Sequence, residues 1–312
     1  MTSPLPIEVF VSTARFERQN LRAADALSGG RLRYTFNPHG RKLTEEEISH
    51  VLSEGFMGLI AGLEPLSESV LSAATALRVI ARVGTGLDTV DLNAAERLGV
   101  SVCNTPDATT DAVAELTMAH MLSVLRGVAR ADRSIRTGGW SPFMGKLLKE
   151  KTVGIVGFGR IGTRVAELVN AFGAHVIFSD PVGSHGGDSR KRTLMQLCSE
   201  SDIITLHVPL LPETRMMIGA KEINAMKPQA ILLNIARGGL VDEDALAIAV
   251  TEGRLSAGLD CFQNEPYQGP LNSFDDVTMT AHMGSYAEET RQLMEREAAM
   301  AMVQEFQRLS IL

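Results

Sequence analysis

Residues 152–180 read TVGIVGFGRIGTRVAELVNAFGAHVIFSD, and they constrain the fold more than any other stretch of the chain. An apolar run ends on Gly157, and Gly159 and Gly162 complete a Gly-x-Gly-x-x-Gly pattern. A helix-compatible segment follows, and a second apolar run closes on Asp180. The three glycines have different physical reasons. The first permits a tight turn from strand to helix, the second lets backbone come close to a pyrophosphate, and the third lets helix pack on strand. The helix start then offers unpaired N–H groups and the positive end of its dipole to phosphate oxygens. A ligand-free strand–helix turn could carry the same glycines. The strand, helix, strand and closing carboxylate in register tell against that. Asp180 stands where a carboxylate accepts from the 2′- and 3′-hydroxyls of an adenosine ribose and repels a 2′-phosphate, so the pattern predicts NAD over NADP.

This unit sits inside a longer alternation of short apolar runs and helical stretches. A first series has candidate strands at 7–12, 57–62, 77–84 and 100–104. A second has them at 152–157, 175–180, 202–209, 230–236, 256–262 and 277–282. Near-continuous apolar runs suit parallel strands buried on both faces. Thr44 followed by Glu47 predicts a capping box opening a helix over 44–55. A long helix is expected over 109–131, with Val113, Leu116, Met118, Met121, Leu122 and Leu125 on its buried face and a break at Gly138-Gly139. The last stretch, from Ala287, reads as an amphipathic helix.

A length of 312 residues gives a prior of two domains. The net charge of −7 makes a nucleic-acid partner a poor expectation. No signal peptide or membrane span is expected, because the apolar run near the N-terminus is short and no window of about eighteen residues is continuously apolar. Cys103, Cys198 and Cys261 are odd in number and scattered, which fits neither a disulfide framework nor a zinc site. They read as buried thiols in a reducing, cytoplasmic compartment, and no metal is expected.

Three ionisable residues lie at or just past strand ends of the second series. Arg237 follows ILLNIA, Glu265 follows GLDCFQN, and His282 follows VTMTA. In open α/β sheets ligands bind beyond the carboxyl ends of the strands, so the three are placed to converge. A planar guanidinium grips a carboxylate with two parallel hydrogen bonds. An imidazole gives or takes a proton near neutral pH, and a neighbouring carboxylate orients it. Taken singly, each is more often a solvated turn, a loop residue or a structural histidine. Together, after a dinucleotide fingerprint, they form a set suited to hydride exchange with a 2-hydroxy or 2-keto acid.

The ordered series RVGTGLDTVDL (82–92), NTPDATTDAVAELTMAHML (104–122), GGW (138–140), VGIVGFGRIG (153–162), LHVPLLPETRMMI (206–218), LLNIARGGLVDEDAL (232–246), AGLDCFQNEPY (257–267) and TAHMGSYAEET (280–290) resembles the D-isomer-specific 2-hydroxyacid dehydrogenase family over nearly the whole chain. The resemblance implies a Rossmann-type doubly wound parallel sheet over 104–282. It implies a flavodoxin-like substrate domain from 1–103 with 283–312, a cleft between the two, and a homodimer built largely by the cofactor domains. It assigns catalysis to Arg237, Glu265 and His282. Substrate carboxylate would also meet backbone N–H groups at Thr85 and Gly86. Cofactor contacts carry over to Arg160 and Ile161 at the pyrophosphate, Thr214 on the phosphate side, and Val208 and Pro209 on the adenine side. Ile235 and Ala236 would line the nicotinamide, and Asp260 would accept from its carboxamide. A plain turn role is the alternative for Thr85-Gly86, Pro209 and Thr214.

Departures from the family pattern are few. Ala281 replaces the proline usual before the histidine and is expected to loosen that turn slightly. Gln263 replaces a frequent acidic residue, with little effect expected. The stretch 181–197 is short and divergent. No appended C-terminal regulatory domain is expected. The appearance is closest to the phosphoglycerate dehydrogenase-related branch, with glyoxylate or hydroxypyruvate reduction as an alternative within the same chemistry. The loop from Ala61 to Glu64 offers no positive charge to a phosphate. Arg82 is the nearest candidate, and Arg130, Arg133 and Arg136 of a partner subunit are remoter ones; the bland reading of all four is solvated charge. Tyr286 reads either as a residue reaching the cleft or as helix packing. A non-catalytic NAD(H)-sensing scaffold of the corepressor type is the reading from another class, disfavoured by the lack of long disordered tails.

Overall fold

The computed structural model describes residues 5–181, 188 and 190–312, so the divergent stretch 181–197 lies partly outside the described residues. The chain divides into two compact units. One takes in the chain up to Thr109 together with Ser285–Leu312, and the other is Thr110–Gly284. Both divisions fall a little later than the sequence boundaries at 103 and 282.

The first unit carries β1 (Ile7–Val11), β2 (Leu32–Phe36), β3 (Gly58–Ala61), β4 (Val79–Arg82) and β5 (Ser101–Cys103), all parallel, in the order β2-β1-β3-β4-β5. This is the flavodoxin-like order. Alternation along each strand sends Val9 and Val11 to one face and Phe10 to the other. On the first face lies the closing helix Glu288–Arg308, through Met294, Ala298, Met302, Val303 and Phe306. On the opposite face lie the helices Glu45–Leu52, Glu68–Ala73 and Leu92–Arg97. The capping box is present: the Thr44 hydroxyl accepts from Glu47 N, and Glu47 accepts from Thr44 N. Buried Glu295 clips the closing helix in place, accepting from Glu17 N and Asn20 Nδ2, both at 2.9 Å.

The second unit carries β6 (Thr152–Val156), β7 (His175–Ser179), β8 (Ile203–Leu206), β9 (Ala230–Asn234), β10 (Leu255–Leu259) and β11 (Val277–Met279), again all parallel, in the order β11-β10-β9-β8-β6-β7. The chain leaves β6 to pair β7 on one side, then returns to place β8 on the other. The strand order therefore reverses at β6, and β6/β8 is the switch point at whose carboxyl end a ligand crevice forms. Both faces are apolar. Ile155, Phe178 and Leu233 pack with the helices Thr110–Arg126 and Arg160–Ala171, while Leu206, Leu232 and Leu259 pack with the helices Leu194–Glu200 and Glu243–Thr251.

Two expectations needed correction. Strand β2 was absent from the sequence reading. The helix expected over 109–131 is two helices, Thr110–Arg126 and Val128–Arg136, bent by 65° at Gly127. Gly127 takes a left-handed φ of 61°, which a glycine adopts without the Cβ clash that opposes other residues. No single helix among the described residues is long and apolar enough to cross a membrane.

Candidate active site

The glycine turn occupies the β6/β8 switch point. Gly157 follows β6 with φ +90°, and a Cβ there would lie 2.4 Å from His207 O, just past β8. A Cβ on Gly162 would lie 2.1 Å from Gly157 O. The protein's own packing thus requires both glycines. Gly159 is different: its φ is −80°, and a Cβ would meet nothing within 4 Å among the described residues. Neither conformation nor packing demands glycine there. What a side chain would fill is the open ground over the first turn of the 12-residue helix Arg160–Ala171. That is where a pyrophosphate takes helix N–H groups, so the site fits the cofactor. Asp180 Oδ2 accepts from Phe158 N at 2.6 Å, which ties the carboxylate to this turn. Arg160 is exposed and Ile161 half-buried on the first turn of that helix.

Val208 and Pro209 follow β8, half-buried and exposed. Thr214, expected as a phosphate contact, staples its own loop: its hydroxyl donates to Pro209 O and accepts from Leu211 N, both at 2.7 Å. Beyond β9, Ile235 is buried, while Ala236 and Arg237 are half-buried. Asn234 shapes this turn, donating through Nδ2 to Arg237 O at 2.7 Å and accepting at Oδ1 from Ala236 N at 3.2 Å. Arg237 Nη1 donates to Ala236 O at 2.7 Å. A Cβ on Gly238 would fall 1.8 Å from Phe262 O, so the arginine loop lies directly on the segment that leads to Glu265.

Glu265 Oε1 accepts from Phe262 N at 3.0 Å. His282 Nδ1 lies 3.0 and 3.1 Å from the two Glu265 oxygens. An ionised carboxylate only accepts, so the pair puts the proton on Nδ1 and leaves Nε2 as the other ring nitrogen. His282 has φ +50°, a conformation that costs a non-glycine residue and clusters at functional sites. Its own N–H donates to Asp260 O at 2.8 Å. The fully buried Asp260 carboxylate takes Met283 N and Gly284 N at 2.9 Å and Thr280 Oγ1 at 2.5 Å. The turn is thus held on both sides of His282, although Ala281 is not proline. Asp260 is a positioning residue for the histidine, whatever else it accepts.

Behind it stands a relay that sequence reasoning missed. Buried His120 meets Thr280 Oγ1 at 2.9 Å through Nε2 and Thr278 Oγ1 at 3.0 Å through Nδ1. Burial pushes the His120 imidazole down in pKa, with Asp260 pulling the other way. The one signal was a histidine on the apolar face of a helix.

Thr85 and Gly86 belong to the first unit, past β4. Thr85 O accepts from Asn104 Nδ2 at 2.7 Å, its hydroxyl lies 2.6 Å from that of Thr109, and Gly84 N donates to Thr105 Oγ1 at 2.9 Å. Arg82 is buried beneath Gly84 and donates to Val83 O. The reversal point of this first sheet, β1/β3, is filled by buried Glu64, which accepts from Ser12 Oγ and from Gly62 N at 3.0 Å. Arg130, Arg133 and Arg136 pair on the surface with Asp276, Asp275 and Asp132. Tyr286 is exposed, with the Arg291 guanidinium 5.5 Å from its ring centre.

Residues 118–284, which hold the glycine turn and the Arg237, Glu265 and His282 set, match the model of the D-isomer specific 2-hydroxyacid dehydrogenase NAD-binding domain. A D-3-phosphoglycerate dehydrogenase of Methanocaldococcus jannaschii is 40% identical over 258 residues, covering 80% of this chain and 49% of that protein. A glyoxylate reductase of Aeropyrum pernix is 41% identical over 250 residues, 75% of each chain. A crystal structure of a Thermus thermophilus protein superposes with a TM-score of 0.87 at 35% identity, over 96% of this chain and 97% of that one. The chain spans about half the length of the phosphoglycerate dehydrogenases it matches.

Proposed function

The chain belongs to the D-isomer-specific 2-hydroxyacid dehydrogenases, and on that premise we propose that it is an NAD-dependent oxidoreductase interconverting a small 2-hydroxy acid and its 2-keto acid. The observation that carries the proposal is the His282 Nδ1–Glu265 carboxylate pair at 3.0 and 3.1 Å, on a turn fixed by Asp260. NAD, when bound, supplies or accepts the hydride at C2 of the substrate. The glycine turn and the start of the helix Arg160–Ala171 bind its pyrophosphate, with Arg160 and Ile161 alongside. Asp180 takes the ribose hydroxyls, Val208, Pro209 and Thr214 flank the adenine and phosphate side, and Ile235, Ala236 and Asp260 serve the nicotinamide. Arg237 grips the substrate carboxylate as a planar fork.

His282 does the proton work. In the reductive direction its Nε2 gives a proton to the oxygen of the ketone as C2 is reduced. In reverse it takes the hydroxyl proton. Glu265 accepts from Nδ1–H and holds the ring in place throughout, so that Nε2 stays aimed.

Two further features belong to the same reading. The chain works as a homodimer, for which exposed apolar side chains on the second unit speak: Trp140 and Met144 are 87% and 100% exposed. It resides in the cytoplasm, where the three free thiols are kept reduced.

The test is initial-rate NADH oxidation with glyoxylate, hydroxypyruvate, 3-phosphohydroxypyruvate and pyruvate in parallel. Turnover with at least one of them is expected. A preference for the phosphorylated ketone assigns the phosphoglycerate branch, and turnover of the others alone assigns a 2-keto acid reductase. Silence on all four, with NADH still bound, overturns the proposal and favours an NAD(H)-sensing scaffold.

A further inference from the structure

Cys261 follows β10 and is buried, with its Sγ 3.5 Å from Ala236 O. The proton chemistry proposed above gives it no task. Yet its Sγ, a Glu265 oxygen and a ring nitrogen of His282 all lie within 4.8 Å of one another. Sulfur, carboxylate oxygen and imidazole nitrogen are the ligand types a borderline-soft divalent cation selects. At ordinary zinc bond lengths, about 2.3 Å to sulfur and about 2.0–2.2 Å to nitrogen or oxygen, neighbouring ligand atoms of a tetrahedron stand roughly 3–4 Å apart. The trio therefore needs to contract by at most about 1–2 Å.

The backbone already gathers these ligands. Cys261 and Glu265 share one short segment, Glu265 is pinned by Phe262 N, and His282 N is bonded to Asp260 O, the residue next to Cys261. The inner wall is the fixed thiol. The outer two ligands keep about a third of their side-chain surface in solvent, 35% for His282 and 38% for Glu265, so an ion has a way in and the two side chains have room to turn. Charge favours the same occupant. One thiolate and one carboxylate neutralise a dication.

We propose that Cys261, Glu265 and His282 form a capture site for a thiophilic divalent cation such as zinc, and that occupancy switches the catalytic pair off. On binding, the thiol releases its proton to water and a sulfur–metal bond forms. The imidazole proton passes from Nδ1 to Nε2 by exchange with water, so the ring stays neutral and binds the metal through Nδ1, and Glu265 turns from the histidine to the ion. An imidazole coordinated through Nδ1 keeps its one proton on Nε2 and cannot become imidazolium, so the acid that would protonate the ketone, and the bare Nε2 that would take the hydroxyl proton in reverse, are both gone. The site rests on the side-chain geometry alone; only the loss of turnover rests on the proposed function.

Two readouts keep these apart. Cobalt(II) titration of the intact chain is expected to give one equivalent bound with a sulfur-to-cobalt charge-transfer band in the near ultraviolet, whether or not the chain turns over any keto acid. Cys261→Ala is expected to lose that band. With an active substrate in hand, zinc at saturation should lower wild-type turnover at least tenfold and reverse on adding a chelator. Cys261→Ala should keep its basal rate and need at least tenfold more zinc for the same effect. Cys261→Ser gives the same comparison should the alanine variant fail to fold. Cobalt binding without a sulfur band, or equal zinc sensitivity in wild type and both variants, overturns the proposal.

Discussion

At the scale of single residues, the site separates groups that do chemistry from groups that hold them. His282 is expected to work on the substrate and Asp260 on His282. Replacing His282 with glutamine should cut turnover by about 10²–10⁴-fold while NADH affinity, read by fluorescence titration, moves little; equal losses in both would remove the proton role. Gly159 and Gly162 form a second contrast. Gly159→Ala puts a methyl into open ground, so the thermal midpoint should hold while NADH binding falls by at least tenfold. Gly162→Ala drives a methyl into Gly157 O and should cost stability as well, about 1–3 kcal/mol of overpacking. A Gly159→Ala chain that binds NADH normally would mean that no pyrophosphate lies over that turn. A histidine with a buried ring nitrogen contributes to the pH response. Burial drops His207 from 6.5 to about 3, and its Nδ1 has no partner among the described residues. A neutral histidine in the fold that takes up a proton when unfolded stabilises fully above about pH 6.5, and that contribution is lost as pH falls towards 3. Urea midpoints should therefore drop between pH 7.5 and 4.5, with a shallower drop in His207→Gln, and parallel slopes would contradict this.

At the scale of elements, what the sequence discloses depends on how much of the signal is local. Ten of the strands were legible, most of them because both faces are buried, and continuous apolar runs such as AILLN announce that. Strand β2, LRYTF, was not. It is the edge of its sheet, its burial alternates, and Arg33 and Thr35 stand among its apolar residues, so only the pairing with β1 identifies it. The Thr44 cap was legible because a capping box is wholly contained in four residues. Thr44→Ala should cost about 1 kcal/mol with unchanged turnover, by denaturant midpoint and steady-state rate. The bend at Gly127 was not legible, since a glycine inside an apolar periodicity is compatible with a continuous helix. The same distinction governs the site. Arg237, Glu265 and His282 could be placed by their position after strands, and the glycines by their spacing. The relay from Asp260 through Thr280 to His120 joins residues far apart in sequence, and Asn234 works through backbone contacts that spacing does not reveal.

At the scale of the whole molecule, the second unit exposes large apolar side chains that the proposed homodimer would cover. The helix Val128–Arg136 has no buried residue, and Val128 and Ile135 are more than half exposed on it. The irregular segment that follows bares Trp140, Met144 and Leu147. These five exposed side chains fall within about twenty residues of one unit, and clustered exposed apolar side chains are what a protein contact covers. A self-complementary contact between two copies needs about 800 Å² from each, and large apolar anchors at its centre carry most of the energy. Because Trp140 and Met144 touch so little of their own chain, charging them should leave the fold intact. On the proposed dimer, Trp140→Glu with Met144→Glu is therefore expected to run as a monomer in sedimentation velocity at micromolar concentration where wild type runs as a dimer, with a far-ultraviolet spectrum like that of wild type. A wild-type chain that sediments as a monomer, or a double variant that remains dimeric, would assign this surface to another partner.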